Sequence, residues 1–364
     1  MSFDLFAVIR PEVAALRGYH VPPGCVPVKL DANESPIPLW GEELASEIAK
    51  ALAEVALHRY PDPEGQAVRE LLARDLEVTP GQVVVTNGSD EAIQLLSIVV
   101  AAPGATVAAP VPTFVMYELA ARMLGLRFVG VPLSDQFDLD VRRFCDALGA
   151  ERPRLVFVAW PNNPTGRLYD PSAVEEIVRI CCGGEVNALV VVDEAYFHYS
   201  GRSFLSKLGQ YPNLVILRTL SKIGLAAIRL GVLVANTPVV EQINTIRPPY
   251  NVNALSQAVV RIVLKYPEAV RRHAAAIVQE RDRLLARLQD LPGMTTYPTQ
   301  ANFFLMRTAR SGDEVFQGLL ERGVLVRNFS HAPYLANCLR VTVGTAEEND
   351  AFLTALPDIL LRGR

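Results

Sequence analysis

The sequence predicts an α/β protein: a large unit on a mainly parallel, seven-stranded sheet flanked by helices, then a smaller C-terminal α/β unit. Three observations predict it. Seven short runs, at 83–86, 106–109, 127–131, 155–159, 188–192, 214–217 and 231–235, are apolar almost throughout instead of alternating. Strands of that kind are covered on both faces, as in parallel sheets. Helical stretches near 89–101, 113–124, 140–149 and 170–182 lie between them, which is the rhythm of strand–helix–strand units. After about residue 250 the rhythm changes to a long helical stretch over 254–291, interrupted at Pro267, and three further strand candidates at 302–306, 324–327 and 339–343.

Taken in order, residues 1–36 are proline- and glycine-rich and read as an arm lying on another part of the molecule. Leu44, Ile48, Leu52 and Val55 mark one face of a first amphipathic helix. Helices near 311–322 and 345–361 complete the smaller unit. The expected division is an arm at 1–36, a large domain at 37–262 and a small one at 263–364.

Composition removes several function classes. Half of the 364 residues are hydrophobic and the net charge is −4, so there is neither a disordered composition nor a basic excess to neutralise nucleic-acid phosphates. Five cysteines, odd in number and without Cys-x-x-Cys spacing, support neither a disulfide framework nor a zinc site. The opening Met1-Ser2-Phe3-Asp4 carries an acid where a signal peptide carries bases, and no apolar run reaches the length of a membrane span. The expectation is a soluble, cytoplasmic protein that binds neither membrane nor metal.

Ligands of open parallel sheets bind beyond the carboxyl ends of the strands. Four runs end in polar clusters: Asn87-Gly88-Ser89-Asp90, Trp160-Pro161-Asn162-Asn163, Asp193-Glu194-Ala195-Tyr196 and Arg218-Thr219-Leu220-Ser221-Lys222. Gly88-Ser89-Asp90 opens a helix, where free backbone N–H groups and the positive dipole end suit a phosphate. A plain helix cap is the competing explanation. Asp193 closes an apolar run, so it is expected to be buried and to need a cationic partner. Only five lysines are present, and Lys222 alone stands at a strand end; Lys29, Lys50, Lys207 and Lys265 read as surface charges. A lysine for a Schiff base, an acid for a pyridinium nitrogen and an anchored phosphate together describe the needs of pyridoxal phosphate.

These residues carry a resemblance. Ser221-Lys222 with Arg229, Pro161-Asn162-Asn163-Pro164-Thr165-Gly166 and Asp193-Glu194-Ala195-Tyr196 resemble the fold-type I pyridoxal-phosphate aminotransferases. Asp31-Ala32-Asn33-Glu34-Ser35, Arg59-Tyr60-Pro61, Pro112-Thr113-Phe114, Pro249-Tyr250-Asn251 and Leu339-Arg340-Val341 narrow it to the histidinol-phosphate aminotransferase family across nearly the whole chain.

The resemblance implies roles. Lys222 would hold the cofactor and then shuttle a proton, Asp193 would keep the pyridine nitrogen protonated, and Asn163 and Tyr196 would bond the ring oxygen. Phe114 would stack on the ring, while Gly88, Ser89, Asp90, Thr219, Ser221 and Arg229 would hold the phosphate. Tyr60 would reach the cofactor phosphate of a second subunit, which implies a homodimer. Arg340 would bind the anion shared by histidinol phosphate and glutamate or 2-oxoglutarate, with Arg327 as a second phosphate group; Tyr19, Asn33 and Tyr250 would line the substrate pocket, with Glu34 near its mouth. An aromatic or broad-range aminotransferase, or a phospho-amino-acid decarboxylase, would share the cofactor clusters. A cofactor-binding regulator fused to a DNA-binding domain is disfavoured, because about 36 residues precede the first helix.

Overall fold

The computed structural model describes residues 3–16 and 26–361, so Tyr19 lies outside the described residues. Among these, the strands in chain order are β1 (Val28–Leu30), β2 (Val83–Asn87), β3 (Thr106–Val111), β4 (Arg127–Pro132), β5 (Leu155–Ala159), β6 (Cys182–Gly183), β7 (Val186–Asn187), β8 (Leu189–Asp193), β9 (Leu214–Thr219), β10 (Leu230–Ala235), β11 (Met294–Thr296), β12 (Phe303–Thr308), β13 (Val324–Asn328) and β14 (Cys338–Thr342).

The seven apolar runs form one sheet in the order β2-β10-β9-β8-β5-β3-β4. Along β5, Leu155 and Phe157 enter the core on one face while Val156 and Val158 enter the core on the other. With both faces covered by helices there is no polar face to alternate with, which is why the runs read as continuous. β10 is the exception to the parallel arrangement, being antiparallel to β9 and β2. The segment 220–229 that joins β9 to β10 is too short for a crossover, so the chain turns back at the carboxyl edge of the sheet. That turn carries Lys222.

The second sheet has the order β1-β13-β14-β12-β11. The end of the expected arm is thus a strand: Val28–Leu30 pairs in parallel with Val324–Val326. Three residues between Pro27 and Asp31 give no strand signal of their own, and only an available sheet edge makes them one. One face of this sheet packs Leu30, Phe304, Met306, Val324, Val326, Leu339 and Val341 against Phe352, Leu356 and Leu284 of its helices. Period-two alternation therefore sends Lys29, Leu325, Arg327 and Arg340 to the opposite face.

The long helical stretch is two helices, Ala254–Val263 and Pro267–Leu288, with Pro267 opening the second. Leu284 and Leu288 of that helix join the small-sheet core, whereas Ala274 and Ile277 pack with Tyr196, Tyr199 and Phe303. The helix so ties the face of the second sheet to the loop that follows β8. Among the described residues no helix is long and apolar enough to cross a membrane.

Candidate active site

Strands β2, β5, β8 and β9 run in one direction, so the segments after them emerge on one edge. Together with the polar face of the second sheet they enclose a cavity of ≈ 340 Å³. Of the residues singled out in the sequence, Asn33, Glu34, Ser89, Asp90, Phe114, Asn163, Asp193, Tyr196, Thr219, Ser221, Lys222, Arg229, Arg327 and Arg340 all line it. Residues from widely separated parts of the chain meet because each follows a strand of the same sheet or sits on the facing one.

One end of the cavity is built for an anion. The helix Gly88–Val100 begins there with no side chain capping its first N–H groups. Gly88 has φ +75°, and a Cβ on it would fall 2.6 Å from Arg229 Nη2, so the backbone can approach only without a side chain. A Cβ on Gly231 would sit 2.4 Å from the Gly88 carbonyl carbon, which seats β10 directly against the helix start. Arg229 Nη1 donates to Ser221 Oγ at 3.2 Å and Nη2 lies 3.4 Å from Asp90 Oδ2. Thr219 Oγ1 and Ser221 Oγ are 3.0 Å apart. Two hydroxyls, a guanidinium and a helix N-terminus form a cradle suited to a phosphate dianion.

The middle holds an acid and an amine. Asp193 is 4% exposed; its Oδ1 accepts the Ala195 N–H at 3.0 Å and its Oδ2 accepts the Tyr117 hydroxyl at 2.7 Å. Burial pushes its carboxyl up to about 6, with the Tyr117 hydrogen bond pulling the other way. Burial and then the neighbouring Arg340 push the Lys222 ammonium down to about 8. Its Nζ donates to the Ala32 carbonyl at 3.4 Å, and its backbone carbonyl accepts the Tyr199 hydroxyl. Among the described residues neither group forms an ion pair, so the site suits a ligand that supplies a cationic ring nitrogen to the acid and a carbonyl carbon to the amine.

The far end is cationic. Arg340 is 7% exposed; Nη1 donates to Asn163 Oδ1 at 2.7 Å and Nη2 to the Asp31 carbonyl at 2.6 Å. Its guanidinium carbon lies 5.4 Å from the Phe303 ring centre and 5.5 Å from that of Phe329. Because a guanidinium only donates, Asn163 presents its oxygen to Arg340, which leaves its Nδ2 as the end able to donate to a cavity ligand. Asn33, in the left-handed region at φ 54°, donates from Nδ2 to the Tyr196 hydroxyl at 2.9 Å and from its backbone to Thr342 at 2.9 Å.

Two expected residues are elsewhere. Tyr60, 82% exposed, and Tyr250, 41% exposed, stack on each other with ring centres 4.7 Å apart, outside this cavity. The Tyr250 N–H reaches the Pro63 carbonyl at 3.4 Å, which ties its loop to the segment after Tyr60. Two wall residues were given no role in the site by the sequence reading. Lys29, expected to be a surface charge, lines the cavity because its arm segment became a strand of the second sheet. Tyr117 lies three positions after Phe114 on the buried side of the helix Val115–Met123. A fully buried tyrosine needs a partner for its hydroxyl, and that was the signal available.

The fit to pyridoxal phosphate is therefore good on this structure's own terms: a cradle that a Cβ would fill, a buried acid and a buried amine, at the mouth of one sheet. Comparison with known proteins agrees. The family model for aminotransferase class I and II matches residues 27–356. The histidinol-phosphate aminotransferase 1 of Ralstonia nicotianae is 44% identical over 350 residues, which is 96% of this chain and 93% of that protein. The histidinol-phosphate aminotransferase 2 of Cupriavidus pinatubonensis is 45% identical, again over 96% of this chain and 95% of its own length. In fold, the crystal structure of histidinol-phosphate aminotransferase from Sinorhizobium meliloti in complex with pyridoxal-5'-phosphate superposes with a TM-score of 0.87 at 24% identity, covering 99% of both chains. The chain belongs to the class I and II aminotransferases and is a pyridoxal-phosphate-dependent transaminase.

Proposed function

We propose that this transaminase is a histidinol-phosphate aminotransferase of histidine biosynthesis. It moves the amino group of L-histidinol phosphate to 2-oxoglutarate, giving imidazole-acetol phosphate and glutamate. The observation that carries the reading is the paired arginines: Arg327 and Arg340 stand opposite each other on neighbouring strands of the cavity wall, across from Lys222 and Asp193. Like charges directly opposite on a sheet repel, and an anionic substrate relieves the repulsion. Relatives named for this activity over nearly the whole chain support it.

When bound, pyridoxal phosphate supplies an electron sink for the carbon that carries the substrate's amine. Asp193, held by Tyr117 and the Ala195 N–H, keeps a proton on the ring nitrogen. Lys222 Nζ would hold the cofactor at its carbonyl carbon and, as a neutral amine, would move a proton between the amine-bearing carbon of the substrate and that cofactor carbon, on the other side of the nitrogen. Its pKa near 8 makes the neutral form accessible. Asn163 and Tyr196 bond the ring oxygen and Phe114 covers a ring face. The N–H groups of Ser89 and Asp90, with Thr219, Ser221 and Arg229, hold the cofactor's phosphate. Arg340 binds the anion common to both substrates, the phosphate in one half-reaction and a carboxylate in the other, and Asn33 closes the wall beside it.

The same reading makes the enzyme a cytoplasmic homodimer. The exposed Tyr60–Tyr250 stack would then project into the second subunit, with Tyr60 at that subunit's cofactor phosphate and Tyr250 beside its substrate. The test is a single-turnover absorbance measurement on cofactor-loaded protein, with histidinol phosphate, phenylalanine and glutamate added separately. Conversion by histidinol phosphate at low concentration, with glutamate also competent, is the expected result. Phenylalanine converting as well or better would replace it with a broad aromatic aminotransferase.

A further inference from the structure

Lys29 is the cation of the cavity wall that the reading above leaves unused. It sits on β1 opposite Leu325, and two positions along the same face of β13 is Arg327, which in turn faces Arg340 on β14. Three adjacent strands thus place three cations on the cavity side of one sheet. The Lys29 ammonium is paired with two carboxylates, Asp31 at 3.3 Å and Glu34 in close contact.

Those two partners differ. The Asp31 side chain is 5% exposed and buried in the wall, whereas the Glu34 side chain is 51% exposed. Releasing Glu34 to water costs little, because a half-exposed carboxylate is rehydrated as it leaves. Glu34 also lines the cavity, so its carboxylate stands where an incoming anion would meet the ammonium.

We propose that Lys29 is a third phosphate-binding cation, and that Glu34 is a placeholder anion which the substrate's phosphate displaces from it. The inference rests on the histidinol-phosphate reading and deepens it into a selectivity device. Asp31 stays in place and keeps Lys29 aimed at the cavity. A phosphate monoester carries close to two negative charges near neutral pH and has three acceptor oxygens, enough for Arg340, Arg327 and Lys29 together. A carboxylate carries one charge and two oxygens, which the arginines already satisfy. The lysine therefore favours the phosphorylated substrate over glutamate, and the exchange for Glu34 keeps the mouth neutralised when no substrate is bound.

The experiment uses the cofactor-loaded enzyme and three variants, Lys29→Met, Lys29→Arg and Glu34→Gln. Steady-state KM values are measured for histidinol phosphate and for glutamate, together with the inhibition constant of inorganic phosphate. Lys29→Met is expected to raise the histidinol-phosphate KM about tenfold or more, at least five times the factor by which it raises that of glutamate, and to weaken phosphate inhibition in parallel. Lys29→Arg should recover most of the loss. Glu34→Gln should move the other way, lowering the histidinol-phosphate KM and tightening phosphate inhibition. Equal rises for both substrates, no rise at all, or a Glu34→Gln variant that binds phosphate more weakly would overturn the proposal. If Lys29→Met does not fold, the opposite-signed Glu34→Gln result decides alone. Should the wild type fail to use histidinol phosphate, the functional reading falls while the phosphate inhibition data still judge Lys29.

Discussion

Replacing Asp193 by asparagine isolates what the protein spends on holding a buried acid for its cofactor. In the cofactor-free chain, burial moves this carboxyl from 3.8 to about 6. At about 1.4 kcal/mol per pKa unit, ionised Asp193 then destabilises the folded state by about 3 kcal/mol. The sign follows from which state binds the proton more tightly. Well below pH 3.8 both states are protonated and nothing is lost. As pH rises the unfolded chain ionises first, so the stability of the cofactor-free protein falls until the folded carboxyl has ionised too, above pH 6. An asparagine does not titrate, and it can keep both contacts: Oδ1 accepts the Ala195 N–H while Nδ2 donates to the Tyr117 hydroxyl, which turns to receive it. Urea unfolding of cofactor-free Asp193→Asn against wild type should therefore show only about 0.5 kcal/mol of advantage near pH 4 and up to about 3 kcal/mol at pH 8. Loading with pyridoxal phosphate should reverse the order, because ligand binding stabilises wild type by the affinity that the variant has lost. A stability difference that does not change with pH, or a variant weaker than wild type at pH 8 without cofactor, would refute the argument.

Other outcomes follow from the same geometry. Only the neutral form of Lys222 attacks a carbonyl, so cofactor uptake followed by absorbance should quicken about fivefold from pH 7 to 8 and level off above 9; a flat profile would contradict the pKa near 8. Lys222→Ala should fold and yet show no turnover with either substrate, and retained turnover would remove its assigned role. Arg340→Ala should reduce kcat/KM at least about a hundredfold in both half-reactions, since on the proposed reading it strips one charged partner from a shared anion site. By removing a neighbouring positive charge it should also shift the pH midpoint of cofactor uptake upward. Gly88→Ala should weaken cofactor affinity measured by equilibrium dialysis, because its Cβ collides with Arg229 in a backbone conformation that side chains rarely adopt. Unchanged affinity would mean that the helix start does not hold the phosphate.

The seven strands of the large sheet were legible because both of its faces are buried, which writes each strand as an unbroken apolar run. The polar clusters that end those runs were legible for the same reason, since a charged or hydroxyl residue stands out directly after five apolar ones. β1 left no such trace: it is three residues long and exists because the edge of β13 is there to pair with it. The helices Gln66–Asp75 and Thr237–Ile246 likewise went unread, the first lying in a polar stretch and the second being a short helix that opens on Asn236-Thr237-Pro238, which reads equally well as a turn.

What the sequence determined by itself was therefore the chemistry: a lone lysine at a strand end, an acid closing an apolar run, a glycine-led helix start and two arginines on short strands. Local pattern suffices for these because each is fixed by its own neighbours in the chain. The tertiary structure alone decided which groups share a wall. It brought Lys29 beside Arg327 and Arg340, set Tyr117 against Asp193, and moved Tyr250 out of the cavity to stack on Tyr60. Those contacts span strand registers and helix faces separated by tens to hundreds of residues, and register across a sheet is set by packing that no local stretch of sequence contains.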